Sequence, residues 1–165
     1  LFFPCRRPPV PPAMADSAFG VPLATYFEAL NASALVPWLL LALLPRWTLT
    51  EVVTWGFAAA YAVSYAALLC AASAAEGGLD VSAFNTLAST SALFRRDVVM
   101  VAGWNHYICF DLLVGRAMVV DAAACGLPQW LVTPCLAGTL VLGPAGWLLY
   151  QTAKFAFAAG GGVAK

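Results

Sequence analysis

The sequence predicts an all-α integral membrane protein with four transmembrane helices and a short interfacial amphipathic helix between the second and third. Of its 165 residues, 62% are hydrophobic and only 10% are charged, a composition that soluble domains of this length seldom reach. Charges are absent from residues 52–75 and 122–153. A helix of about 20 residues crosses the hydrocarbon core of a bilayer, so both runs are long enough to span it. The eight basic and eight acidic residues balance, which predicts no nucleic-acid partner.

The first two predicted spans cover residues 26–44 and 51–75. Pro37 lies inside the first span, where a membrane helix tolerates proline if its neighbours satisfy the freed carbonyl. In the second span, Gly56, Ala60 and Ser64 recur every four residues, a spacing that lets two helix backbones approach closely. This small-residue stripe predicts a packing surface and no chemistry.

The segment between the second and third spans predicts the short interfacial helix. Val81, Phe84 and Leu87 fall on one helical face, and Asp80 is placed to cap the helix start. Such a segment lies in the membrane surface with its apolar side towards the lipid.

The third and fourth predicted spans cover residues 98–120 and 130–157. The chain then divides into an extended proline-rich arm over residues 1–25, a four-helix transmembrane domain over 26–157 and a flexible glycine-rich tail over 158–165.

Four spans put both chain ends on the same side of the membrane. Six cations share that side: Arg6, Arg7, Arg95, Arg96, Lys154 and Lys165. Only Arg46 and Arg116 lie opposite. The excess of basic residues predicts that both termini face the cytoplasm, or the stroma in a thylakoid.

Polar residues interrupt the third span in the stretch "WNHYICFDLLVGR", residues 104–116. On a helix drawn with Trp104 as the reference, Asn105 and Arg116 point about 100–120° away, His106 about 200° and Asp111 about 340°. These directions predict a helix surrounded by protein or ligand, with a separate partner for each polar group. An unpartnered Asp or Arg at a helix centre costs ~3 kcal/mol on insertion scales, so each needs a reason to be there.

Structural and functional interpretations of these residues both stay open at this point. His106 is either a packing histidine, an acid/base group or a pigment ligand, and Asp111 is either a structural carboxylate or an acid. Arg116 is either an interface anchor or an active group, and Asn105 favours a helix–helix hydrogen bond. The five cysteines show no Cys-x-x-Cys spacing, and the three in apolar runs favour a structural role, so no metal site is predicted.

Three stretches together resemble a known family. "LVPWLLLALLPRW" (35–47), "ALFRRDVVMVAGWNHYICFDLLVGR" (92–116) and "GLPQWLVTPCLAGTLVLGPAGWLLY" (126–150) occur in this order. They resemble the small plastid and cyanobacterial membrane proteins named for abscisic acid deficiency, the neoxanthin-synthase-like family. Where that family commonly has an aromatic and a basic residue after the Val-Gly-Arg motif, this chain has Ala117 and Val120.

The resemblance implies isomerisation of an epoxy-carotenoid into an allenic xanthophyll, without a redox cofactor. For that chemistry we expect His106 to shuttle the proton, Asp111 to act as the acid and Arg116 to steady the developing alkoxide. Bound molecules expected from the same reasoning are carotenoid, chlorophyll and lipid. The residues expected to contact a pigment are Trp104, Asn105, Tyr107 and Gln129.

A non-catalytic alternative stays open as well. A small, almost wholly apolar chain with six Trp and ten Phe also suits a pigment-binding or structural subunit of a photosystem–antenna supercomplex. His106, Asn105, Gln129, Gln151 or Glu28 would then supply the N or O ligand of a chlorophyll magnesium. Both alternatives predict an integral protein of the plastid thylakoid or envelope membrane, with photosystem or light-harvesting antenna subunits as partners.

Overall fold

A computed structural model describes residues 17–162 apart from Gly77 and Leu79, without the side chains of Ala75 and Glu76. Apart from one short β-hairpin, the secondary structure of the described residues is helical, as predicted. Its helices are α1 (Leu23–Leu43), α2 (Thr48–Glu76), α3 (Leu87–Phe94), α4 (Asp97–Ala124), α5 (Gln129–Leu142) and α6 (Pro144–Ala159), with a 3-10 turn at Val81–Phe84. Most of the proline-rich arm, residues 1–16, and residues 163–165 of the predicted tail lie outside the described residues.

A minimal β-hairpin precedes α1. Strand β1 (Ser17–Ala18) pairs antiparallel with β2 (Val21–Pro22) across a turn formed by Phe19 and Gly20, both at positive φ. This turn carries φ values of 54° and 81°, which match the twist of a tight hairpin. Ala18 and Leu23 bury their side chains against α2 and α4, so the hairpin is fastened to the bundle and α1 starts three residues before the predicted span.

Helix α4 is the centre of the bundle, with α1, α2 and α5 packed around it. Leu112 of α4, Val132 and Leu136 of α5 and Trp38 of α1 form a core in which each side chain is at most 4% exposed. Gly115 makes this packing possible, because a Cβ there would lie 2.7 Å from the Trp38 ring. The α2–α4 pair is antiparallel and is joined near its middle by the Cys109 thiol, 3.4 Å from the Ala58 carbonyl.

Two of the described helices, α1 and α2, are long and apolar enough to cross a membrane by length and composition. Helix α4 has 28 residues but carries Asp97, Asp111, Arg116 and Asp121. Helices α5 and α6 have 14 and 16 residues, about 21 and 24 Å at the rise of an α-helix, which is shorter than the ~30 Å hydrocarbon core.

The predicted fourth span is interrupted and reversed at Gly143. Gly143 has φ 53° and ψ −110°, and Pro144 starts α6 at a position that needs no amide proton. Gly146 lies directly against the backbone of Gly138 and Thr139 in α5. Helices α5 and α6 therefore form a tight helical hairpin, and the prediction of one continuous helix over residues 130–157 is wrong.

The reversal changes which end of the bundle α6 reaches. We call the end where α1 begins and α4 begins the Leu23 end, and the end where both finish the Ala124 end. Lys154 of α6 donates to Asp121 at the Ala124 end, with Nζ to Oδ2 at 2.6 Å. Lys154 thus lies at the same end as Arg46 and Arg116. The prediction that Lys154 shares a side with Arg95 and Arg96 is wrong. Of the basic residues that the structure describes, two lie at the Leu23 end and three at the Ala124 end, so the Leu23 end has no excess of positive charge.

The segment between α2 and α4 is helical, as predicted, but it forms two short helices instead of one. Asp80 caps the 3-10 turn as predicted, accepting from the Ser82 amide at 2.9 Å and the Ser82 hydroxyl at 2.6 Å. These two bonds lower the pKa of the Asp80 carboxyl. Thr86 and Ser89 then form a reciprocal capping box that starts α3. Val81, Phe84 and Leu87 are all exposed.

Candidate functional site

The polar residues of α4 have separate surroundings, as their helical directions predicted. Asn105 is fully buried between α1 and α2, and its Nδ2 donates to Ser64 at 2.6 Å and to Tyr26 at 3.2 Å. Its Oδ1 is buried without a hydrogen-bond partner in the described residues. Ser64, predicted as part of a packing stripe, is partly buried and is also a hydrogen-bond partner of Asn105.

Trp104 joins α4 to α1. Its indole Nε1 donates to Asn31 Oδ1 at 2.9 Å, and its ring contacts those of Phe27 and Tyr107 at 5.7 and 5.2 Å between centroids. Asn31 in turn donates to the Phe27 carbonyl. The predicted pigment contact Trp104 is therefore engaged in a helix–helix hydrogen bond.

Arg116 is clamped to α2. Its guanidinium holds the Glu51 carboxylate through Nε, 3.1 Å from each oxygen, and through the terminal nitrogen. The guanidinium also lies 4.6 Å from the centre of the Trp55 ring, whose Nε1 donates to the same carboxylate at 3.0 Å. Sequence reasoning missed Glu51 and Trp55, although their spacing of four residues places them on one helix face.

Asp111 lies at the middle of α4, against the reversal between α5 and α6. A Cβ at Gly143 would come within 3.3 Å of both carboxylate oxygens and 3.5 Å of Tyr107. Only glycine combines this close approach with the positive φ of the turn. Asp111 Oδ2 is buried and has no hydrogen-bond partner in the described part of the chain. Leaving a buried carboxylate oxygen without a partner is costly, which sets Asp111 apart from the paired carboxylates Glu51 and Asp121.

Tyr107 completes the surroundings of Asp111. Its hydroxyl is 3.4 Å from the Leu140 carbonyl, which loses its usual helical donor because residue 144 is proline. The Asp111 carboxyl also interacts with this hydroxyl. We call Tyr107, Asp111, the Leu140 carbonyl and Gly143 the reversal site. Its Gly-Pro dipeptide at 143–144 is a breaker signal that sequence reasoning read only as part of a span.

His106 faces outwards. Its ring stacks on Phe110 at 4.6 Å and meets Tyr65 of α2 edge-on at 5.2 Å, and the residue is exposed. No hydrogen bond to it occurs among the described residues. The structure thus does not bring His106, Asp111 and Arg116 together. Each lies on a different face of α4.

Gln129 has a structural contact. Its Nε2 donates to the carbonyls of Leu41 and Ala42 at 3.0 and 3.2 Å, where α1 ends and its carbonyls lack helical donors. Gln129 thus ties the start of α5 to the end of α1. Within the described residues, no three His, Cys, Asp or Glu side chains group closely enough to hold a metal ion.

Comparison with known proteins gives a single positive finding. No curated protein and no solved structure matches the chain. A family model does match, over residues 25–150, from the first turn of α1 to the first turns of α6. The matched residues contain the reversal site around Asp111, the ion pair of Arg116 with Glu51, and His106. This chain belongs to the ABA4-like family, described as ABA DEFICIENT 4-like.

Proposed function

We propose that this chain is an intramembrane isomerase that converts an epoxy-carotenoid into an allenic xanthophyll, with Asp111 as its acid. One observation carries the proposal. At mid-length of α4, a carboxyl group sits against a broken helix and keeps a buried oxygen without a protein partner. Ionisable groups at this depth are costly and mark functional sites. Membership of the ABA4-like family supports the choice of substrate class.

The helix lengths support a membrane arrangement with a re-entrant hairpin. Helices α1, α2 and α4 span the bilayer, while α5 and α6 enter from the Ala124 end and turn back at the depth of Asp111. Irregular backbone is tolerated at such a depth only where protein covers it, and α4 covers the turn at Gly143. The plastid thylakoid or envelope as the host membrane stays a prediction. The predicted stromal position of both termini does not fit this arrangement, because α1 starts at the Leu23 end and α6 finishes near the Ala124 end.

The reaction needs one proton to leave carbon and one to reach oxygen. The epoxide C–O bond at the polyene side breaks, and its electron pair stays on the oxygen, which takes up a proton to become a tertiary alcohol. The neighbouring vinylic C–H bond also breaks, and its electron pair forms the new cumulated double bond. Because the proton lost and the proton gained balance, one carboxyl can donate from one oxygen and accept at the other. The reversal site offers Asp111 for this step and the Tyr107 hydroxyl to orient the end ring.

His106 and Arg116 have other surroundings, so their predicted catalytic roles need separate tests. Arg116 is already neutralised by Glu51, which weakens it as a partner for an alkoxide. His106 lies on the opposite side of α4 from the reversal site. The proposal therefore assigns the proton transfer to Asp111 and expects activity to survive replacement of His106 by Phe.

The test uses the purified chain in liposomes loaded with a xanthophyll that carries an end-ring epoxide. Chromatography with absorbance detection measures the allenic product. Asp111→Asn removes the proton but keeps the shape, so product should fall at least a hundredfold, the lower end of the range for a lost general acid. Asp97→Asn, on the first turn of the same helix, is the matched control and should keep full activity. Undiminished product from Asp111→Asn would remove this residue from the mechanism.

A pigment-binding or structural subunit of a photosystem–antenna supercomplex is the second candidate. It is favoured by the outward-facing His106, which the proposed proton transfer by Asp111 does not use. Carotenoid, chlorophyll and lipid would then be bound through the surface, while Trp104, Asn105 and Gln129 hold the helices together. Copy number separates the candidates. After mild detergent extraction and a density gradient, a subunit keeps a fixed ratio to one photosystem, whereas an enzyme is substoichiometric and separable.

A further inference from the structure

His106 is a polar group on the exposed surface of α4, which faces lipid in the proposed membrane arrangement. It lies nine residues into α4, about 13 Å from the helix start, and contacts Tyr65 near the middle of α2. Both its neighbours are aromatic rings, and neither the described backbone nor any described side chain hydrogen-bonds the imidazole. Hydrocarbon offers no hydrogen-bond partner, so a polar group held there without one is unfavourable. A ligand from outside the chain would relieve that cost.

The donor set narrows the chemistry of this ligand. A free metal ion needs three or four protein ligands, and no three His, Cys, Asp or Glu side chains group closely enough to supply them in the described part of the chain. A metal ion already held in the plane of a macrocycle needs only one. Imidazole nitrogen is a common axial ligand for such a metal.

The surroundings suit a flat apolar ring. Phe110 stacks on the imidazole with 22° between the planes and Tyr65 meets it at 65°, so the orientation of the imidazole is fixed before a ligand arrives. Beside Tyr65, the exposed residues Ala62 and Ala66 of α2 add only methyl groups to the surface. We infer that His106 is the axial ligand of a metal tetrapyrrole of the chlorophyll class, lying on the outward face of α2 and α4.

This site is independent of the proposed isomerisation, because it lies on the other side of α4 from Asp111. It is also independent of membership in a supercomplex, since the ligand contacts only this chain.

A zinc porphyrin is a suitable probe, because zinc in a porphyrin takes one axial ligand and its Soret band moves to the red on ligation. The full chain in detergent micelles is titrated with zinc porphyrin and, in parallel, with the metal-free porphyrin. We expect a red shift that saturates at one zinc porphyrin per chain, and none with the metal-free ring. His106→Phe should abolish the shift, while Thr25→Val, an exposed control on α1, should retain it.

Three results would overturn the inference. The first is a shift that persists in His106→Phe, which would place the ligand elsewhere. The second is equal binding of the metal-free porphyrin, which would mean apolar partition. The third is a His106-dependent response to a hydroxylated xanthophyll but not to zinc porphyrin. If His106→Phe loses its helical circular dichroism, His106→Leu tests the same point with a smaller side chain.

Discussion

Replacing Gly146 by alanine should separate α5 from α6, whereas the same change at Gly56 should stabilise the chain. A Cβ at Gly146 would overlap the backbone of Gly138 and Thr139, which cannot move aside as a side chain can. Overpacking of this kind costs up to about 3 kcal/mol, and the better helix propensity of alanine returns about 1 kcal/mol. The expected net loss is about 2 kcal/mol. Gly56 has no atom within 4 Å of such a Cβ, so only the gain of about 1 kcal/mol applies there.

The two variants are measured side by side by denaturant unfolding in detergent micelles, followed by tryptophan fluorescence. The expected difference between them is about 3 kcal/mol in the free energy of unfolding, the sum of the two effects. A Gly146→Ala protein at least as stable as Gly56→Ala would refute the close α5–α6 approach and with it the helical hairpin.

Three further predictions test contacts between the helices and the direction in which α6 runs. Glu51→Gln removes the charge that Arg116 holds at a half-exposed position, so it should lower the free energy of unfolding by only ~1 kcal/mol, with an effect that shrinks at high salt. Tyr150→Phe deletes a 2.5 Å hydrogen bond to the Asp121 carboxylate from a ring that is 1% exposed, and should cost about 1.5–3 kcal/mol in the same unfolding assay. Lys154→Cys in sealed vesicles should react with a membrane-impermeant maleimide from the side opposite to a cysteine placed in the α2–α4 connector; labelling of both from one side would contradict the reversal at Gly143.

Helical periodicity carried most of what could be predicted about α4. The sequence predicted the boundaries of the helices α1, α2 and α4 to within a few residues, because apolar run length and flanking charges indicate helix length directly. The separate directions of Asn105, His106 and Asp111 also followed from the sequence alone, since they depend only on the rotation per residue. The position of Asp80 as a cap followed from its residue type.

The tertiary structure alone decided what each polar group meets. Periodicity is the same for a straight helix and for two helices folded back on each other, so the reversal at Gly143 was invisible to it. The reversal depends on the positive φ of Gly143 and on the absence of a side chain at Gly146, where the backbones of α5 and α6 touch. It places Asp111 against Gly143 and the Tyr107 hydroxyl near the freed Leu140 carbonyl, and it brings Lys154 to the Ala124 end. Those placements arise from contacts between residues far apart in the chain, and a single helix carries no information about them.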